Sequence, residues 1–240
     1  RELKINDNSI KLCLNFSDIE SAIKHNKTAA LLGIEGAGAL NGDIDNIKKF
    51  YDLGIRIITL TWNGHNELGC GLPYNEPLKK FGVDAVLKML ELGIIIDVSH
   101  LSEAGFYSLC DITDKPFIAS HSNAKALCNH SRNLTDNQFS EILKRKGLIG
   151  INIYPKFLTN DGIASVFDVI KHIMYFLGLG GEKIISLGTD FDGIEFTPEG
   201  IKDVSSMNVI ADELLKRNIN EDLVKDIMFN NAFDFFKRVL

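Results

Sequence analysis

Residues 93–123, GIIIDVSHLSEAGFYSLCDITDKPFIASHSN, contain two apolar runs that each end on a Ser-His pair, Ser99-His100 and Ser120-His121, with a helix-length segment between them. A β-branched run, a crossover of about a dozen residues and a second apolar run make a βαβ unit, whose two strands are parallel and ordinarily adjacent. Neighbouring strands lie about 4.8 Å apart. Two histidines at the same height, at the C-terminal ends of both strands, can therefore converge on one ion. A lone strand-end histidine is ordinarily a hydrogen-bonded core or surface residue; a matched pair points to a metal site.

The same alternation extends along the chain. Residues 17–26 predict a short helix with Ser17 as N-cap and Glu20 completing a capping box. Residues 28–35, TAALLGIE, predict one buried strand ending on Glu35, and residues 43–53 an amphipathic helix stopped by Gly54. A strand over 55–61 delivers Trp62, Asn63 and the loop GHNELGCG, and a helix over 82–92 closes at Gly93. Beyond His121 the pattern predicts a polar connection over 123–132, then a helix over 135–146, capped by Thr135 and ended by Gly147. A strand over 148–153 ends at Tyr154-Pro155, a helix covers 166–177, and a strand over 184–189 ends on Asp190. Helical segments over 208–217 and 221–237 finish the chain, with the Phe-rich stretch 229–236 read as core packing.

Strands alternating with helices imply a parallel sheet covered by helices. No G-x-G-x-x-G follows the first strand, which removes the main support for a dinucleotide-binding sheet. Chemistry-capable residues instead close most of the strands: Glu35, Asn63, His100, His121, Tyr154 and Asp190. A TIM-type (β/α)8 barrel gathers its site from many strand ends at one face. The expected fold is therefore an α/β barrel, of which only about six strands can be counted, in a single domain over residues 1–240.

The net charge of −6 argues against a nucleic-acid groove, and no Lys/Arg cluster overrides it. Cys13, Cys70, Cys110 and Cys128 are widely spaced, with no C-x-x-C pair, as expected of free thiols in a reducing, cytoplasmic setting. No apolar run is long enough to span a bilayer, and the polar start RELKINDNSI does not resemble a signal peptide.

Glu35, His100, His121 and Asp190 together offer two imidazole nitrogens and two carboxylates. Zinc accepts such donors and can activate water between them, so the residue types point to metal-assisted hydrolysis. The motifs IEGAGAL, GIRIITLTWNG, NELGCG, FGVDAVLKMLELGIIIDVSH, PFIASHSNAKALCNHSRNLTD, INIYPKFL and LGTDFDG with TPEGIKDVSS, in that order, resemble the membrane dipeptidase (renal dipeptidase) family of zinc peptidases. The resemblance implies a zinc-dependent dipeptidase using metal-activated water. It implies that Glu35 bridges two zinc ions, that His100 and His121 hold one of them, and that Arg132 holds the carboxylate of a dipeptide substrate. Asp190 would steer the water and pass its proton to the leaving amine, and Tyr154 would line the substrate pocket.

Two departures accompany this. Family members carry an H-x-D motif on the first barrel strand that supplies the remaining ligands of the other zinc, and no H-x-D occurs here. The six strands correspond to the family's third through eighth, so this chain alone is expected to hold at most one zinc and to have little or no dipeptidase turnover. A gap of two strands would also leave open sheet edges, which favours a homo-oligomer that covers them. The renal pattern has a histidine that contacts the reacting carbonyl where this chain has Trp62, which leaves open whether Trp62 or His65, three residues on, takes its place. A truncated non-catalytic remnant acting as an interaction module, and a metal-dependent deacylase on the same scaffold, are the competing readings. His25 and His172 read as solvated or packed helix residues, while His130 could bond near the pocket. Asp97 is either a partner that orients an imidazole or a structural carboxylate.

Overall fold

In the computed structural model, which describes residue 6 and residues 8–240, the chain divides into two compact units. The first runs to Thr113 and takes in Phe236–Leu240; the second spans Asp114–Phe235. The polar start at residues 1–5 and Asp7 lies outside the described residues.

In the first unit, β1 (Ile10–Leu12) leads through α1 (Phe16–Lys24) to β2 (Thr28–Ala30), its parallel partner. A second parallel set is formed by β3 (Leu32–Glu35), β4 (Ile55–Thr59) and β5 (Ile95–Asp97). The crossovers are α2 (Asp45–Asp52) and α3 (Lys80–Leu92), with α4 (Glu103–Ile112) after β5. In the second unit, β6 (Ile118–Ala119), β7 (Leu148–Ile151) and β8 (Ile185–Leu187) are parallel. Between them run α5 (Asp136–Lys144), then α6 (Pro155–Leu158) and α7 (Val166–Gly178), while α8 (Asn208–Lys216) and α9 (Glu221–Lys225) follow β8. The chain closes with α10 (Asn231–Val239). In each unit, strand order along the sheet is order along the chain. This is the α/β architecture of a (β/α) barrel, with six barrel-type strands among the described residues.

The strands form where β-branched residues cluster, and the helices cover them. All four residues of β7 and all three of β5 are buried, the pattern of strands covered on both faces. In the first unit α2 packs on β4 and α3 on β5, burying Ile47, Ile58, Val86 and Met89. In the second, α5 and α7 pack on β7, and Phe139 stacks on Phe176 with ring centroids 4.8 Å apart. Each such side chain contributes about 1.5–3 kcal/mol by leaving water.

Several boundaries differ from those the sequence predicts. Residues 28–35 are two strands: β2 pairs with β1, β3 pairs with β4, and neither is fully buried. The polar composition before Ile10 hides β1, whose pairing is with a distant segment. Asn15, not Ser17, caps α1, because its Oδ1 accepts from the Asp18 amide at 3.1 Å while the Ser17 hydroxyl donates to that same oxygen. The expected helix over 221–237 is interrupted by a π turn at Asp226–Asn230. That irregularity turns Phe229 outward, half exposed, whereas Phe235 is buried. Gly93 does close α3, in the left-handed conformation at φ 74° that costs a glycine little.

Thr135 caps α5 with a full capping box: its Oγ1 accepts from the Gln138 amide at 3.2 Å, and its own amide donates to Gln138 Oε1 at 3.0 Å. Thr135→Ala is expected to destabilise the protein by about 1 kcal/mol. Urea unfolding should show a lower midpoint at unchanged slope, with Thr135→Ser close to the parent.

Candidate metal centre and substrate groups

The register of the first unit aligns Glu35 with Thr59 and Thr59 with Asp97, so three strands present a row of polar side chains near their C-terminal ends. Thr59 Oγ1 donates to Asp97 Oδ2 at 2.7 Å, and the Ser99 amide donates to Asp97 Oδ1 at 3.0 Å. Buried Asp97 thereby pins the turn that carries His100, which has a positive φ of 70°. Such a backbone is uncommon for a residue with a side chain and persists only where its surroundings hold it.

Held this way, His100 Nε2 lies 3.0 Å from Glu35 Oε1, and its Nδ1 lies 3.4 Å from Asn63 Oδ1. An amide oxygen accepts only, so a proton on Nδ1 leaves Nε2 with its lone pair facing a carboxylate. With Nε2 deprotonated, this nitrogen and the Glu35 oxygen are two donors close enough to take one cation. One imidazole nitrogen and one carboxylate are also donors that zinc accepts, so the residues fit the metal. The Trp62 ring sits 6.0 Å from the His100 ring, centroid to centroid. A cavity of about 260 Å³ opens beside Glu35, lined also by Trp62, Asn63, His65 and Asn66. His65 lines this cavity while its ring packs at a tilt of 41° against Tyr74, centroids 4.0 Å apart.

The second unit carries His121, Arg132, Tyr154 and Asp190. The His121 turn is anchored by backbone: the Ser122 amide donates to the Gly150 carbonyl at 2.8 Å, and Ser120 Oγ lies 2.7 Å from His121 Nδ1. A Cβ at Gly150 would meet the Ser120 carbonyl oxygen at 2.0 Å, and one at Gly188 would meet the same oxygen at 1.8 Å. Both strands flanking that carbonyl must therefore be bare at those points.

Beyond it, Asn123 and Asn152 exchange hydrogen bonds, Asn123 Nδ2 to the Asn152 carbonyl at 3.0 Å and the Asn152 amide to Asn123 Oδ1 at 3.1 Å. Asn152 Oδ1 accepts from the Tyr154 amide at 2.6 Å, and its Nδ2 lies 3.4 Å from Asp190 Oδ2. One buried asparagine thus ties the loop after β6, Tyr154 and Asp190 together. Sequence reasoning missed both asparagines; their position just past a strand end, like that of the histidines, was the available signal.

Arg132 is buried, with its guanidinium 5.5 Å from the centre of the Phe157 ring. His130 accepts the Arg132 amide on Nδ1 at 3.1 Å and packs on Phe157, and burial, with the neighbouring guanidinium, lowers its pKa. The Tyr154 hydroxyl donates to Glu195 Oε2 at 3.2 Å, and Lys156 reaches the same oxygen at 3.4 Å. Of the two histidines expected to be inert, His25 is exposed and hydrogen-bonded within its helix end. His172 is buried and structural: its Nδ1 accepts the Ala124 amide at 3.0 Å, and its Nε2 donates to the Leu158 carbonyl at 3.0 Å.

Parallel strands alternating with helices, with ligand-type side chains at their C-terminal ends, are the layout of a (β/α) barrel site. A family model for membrane dipeptidases, peptidase family M19, matches residues 1–240, and the chain belongs to that family. An uncharacterized protein of the pqqA 5' region in Klebsiella pneumoniae is 32% identical over 242 residues, 96% of this chain and 89% of its own. Dipeptidase aclJ of Aspergillus oryzae is 35% identical over 202 residues, 82% of this chain and 48% of its own, so this chain spans about half of that relative. Among solved structures, a metallopeptidase from Rhodobacter sphaeroides, bound to a phosphinate mimic of the dipeptide L-Ala-D-Ala, superposes with a TM-score of 0.91 at 29% identity. That match covers 96% of this chain and 69% of the other. No helix among the described residues is long and apolar enough to cross a membrane.

His172 makes stability depend on pH. Burial is the larger influence on it and lowers its pKa, against the Leu158 carbonyl, which raises it. The unfolded chain takes up this proton near pH 6.5, while the native chain refuses it until lower pH. Unfolding free energy should therefore fall as pH drops below about 6.5 and level off once the native imidazole protonates. His130 acts in the same direction. His172→Asn, which keeps an acceptor for the Ala124 amide, should flatten the slope measured by urea unfolding across this range.

Proposed function

We propose that this protein is a zinc-dependent dipeptidase that hydrolyses the peptide bond of dipeptides with water activated at a metal held by Glu35, His100 and His121. The observation that carries this reading is the 3.0 Å approach of His100 Nε2 to Glu35 Oε1 in a chain of the membrane dipeptidase family. Bound there, zinc would acidify water and polarise the peptide carbonyl. Because no H-x-D motif accompanies these ligands within residues 1–240, one zinc at most is expected at this centre.

The protein's own groups do the rest. Arg132, its guanidinium backed by Phe157, takes the free carboxylate of the substrate in a two-point hydrogen-bonded pair. Asp190, whose Oδ2 faces the Asn152 amide, accepts the proton of the attacking water and returns it to the leaving amine nitrogen. Tyr154, packed edge-on against Phe157, forms a wall of the substrate pocket. The choice of a dipeptide is supported by the ligand of the Rhodobacter sphaeroides protein.

Metal analysis is expected to show zinc content falling by about one ion per molecule in Glu35→Gln. Zinc-dependent hydrolysis of free dipeptides, weak for want of the second ion's ligands, should accompany this ion. Asp190→Asn should lower kcat by about 100-fold or more, while Arg132→Lys should act chiefly on KM, by about 10-fold or more. Turnover of N-acyl amino acids with none of dipeptides would make the protein a deacylase. A zinc-loaded chain that hydrolyses neither would be a non-catalytic remnant of the fold.

A further inference from the structure

A second cluster of ligand-type side chains lies in the loop between β4 and α3. His65, Cys70 and Glu76 each place one donor atom within 4.8 Å of the other two. We propose that these three residues form a separate site for a thiophilic divalent cation, such as zinc, cobalt or cadmium. It shares no ligand with the proposed catalytic metal.

The backbone builds this site before any ion arrives. His65 and Cys70 face each other across an antiparallel bridge, the arrangement that sets paired side chains on one face about 5 Å apart. The bridge is closed on one side by the Gly64 amide to the Leu72 carbonyl and the Gly71 amide to the Gly64 carbonyl, both 2.7 Å. On the other side, Asn66 Oδ1 accepts from the amides of Leu68 and Gly69 at 2.8 and 3.0 Å, and its Nδ2 donates to the Leu60 carbonyl at 2.8 Å. Glu76 is brought in by its main chain, whose carbonyl accepts from Ser102 Oγ at 2.8 Å.

The electronic features match the geometry. The Glu76 amide donates to Cys70 Sγ at 3.3 Å, and the sulfur lies 3.7 Å from the Glu76 carbonyl oxygen, so the Glu76 main chain holds the sulfur in place. His65 Nδ1 lies 3.9 Å from Glu76 Oε2. Metal–ligand bonds of about 2.0 Å to nitrogen and oxygen and about 2.3 Å to sulfur put tetrahedral ligands roughly 3.3–3.7 Å apart. The nitrogen–oxygen pair is already near that spacing, and the sulfur lies within 4.8 Å of both partners' donor atoms. Cys70 is fully buried while His65 and Glu76 reach the surface, so an ion can enter from the exposed side and find the sulfur at the bottom. Binding exchanges the Cys70 thiol proton for the cation and releases that proton to solvent. A thiolate, an imidazole and a carboxylate select a borderline or soft ion over magnesium or calcium, and a fourth position stays open to water.

The site has a mechanical consequence for the cavity beside Glu35. Gly64, His65 and Asn66 line that cavity, so an ion at this site would fasten its wall. His65 would then be a ligand of this second metal and not the substitute for the family's histidine.

Cobalt distinguishes the two metals, because sulfur-to-cobalt charge transfer absorbs in the near ultraviolet and the proposed catalytic ligands include no sulfur. The protein, stripped of metal and kept reduced, should develop this band on titration with Co2+, to the amplitude of one thiolate-bound cobalt per molecule. Cys70→Ser should abolish the band, and Glu35→Gln should leave it unchanged. His65→Ala and Glu76→Gln, at exposed positions that spare the core, should weaken Co2+ binding at this site by at least about 10-fold, the loss typical of even an outer partner. Co2+ uptake without the band, or a band that persists in Cys70→Ser, would overturn the proposal. Should Cys70→Ser fail to fold, unchanged Co2+ affinity in both exposed variants would overturn it equally.

Discussion

Everything near Glu35 depends on holding an imidazole nitrogen and a carboxylate oxygen 3.0 Å apart without letting them swing away. Left in water, the two would separate or share a proton, so the protein must supply the rigidity. It does so through parallel register, which sets Glu35, Thr59 and Asp97 in one row across β3, β4 and β5. Asp97 spends its carboxylate on the turn beneath His100 and on Thr59, both inside the core, where unmet hydrogen bonds are expensive. The donor pair is thus fixed by backbone pairing and one buried carboxylate, not by its own attraction.

The second unit solves a similar problem with amides. Asn123 and Asn152 are buried neutral side chains that together use backbone and side-chain groups to join two strand ends, and Asn152 also faces Asp190. A neutral network suits this place, since it orients a carboxylate without adding a competing charge. His172 belongs to the same support, holding the Ala124 amide just beyond the His121 turn.

The sequence made the barrel-type repeat and the strand-end side chains readable because both are local: apolar runs, capping residues and the side chain that follows each run. Thr135, Gly93, Glu35 and His100 were legible in this way. What could not be read depends on distant partners. Ile10–Leu12 is a strand only because Thr28–Ala30 lies beside it, and the break at Leu31 exists because two neighbouring sheets claim opposite sides of one apolar run. The roles of His172 and Asn152 are likewise set by partners 48 and 29 residues away. His65 drew attention only through its distance from Trp62, whereas folding turns it toward Cys70 and Glu76.

The paired glycines around Ser120 carry a lesson for anyone reshaping this scaffold. One carbonyl oxygen occupies the volume that a methyl group at position 150 or at position 188 would need. Neither position can drift by single steps, and a combinatorial library that randomises them will consist largely of unfolded members. Diversity is better placed on the exposed loops, where Trp62, Tyr74 and Phe196 already show that the surface tolerates bulk.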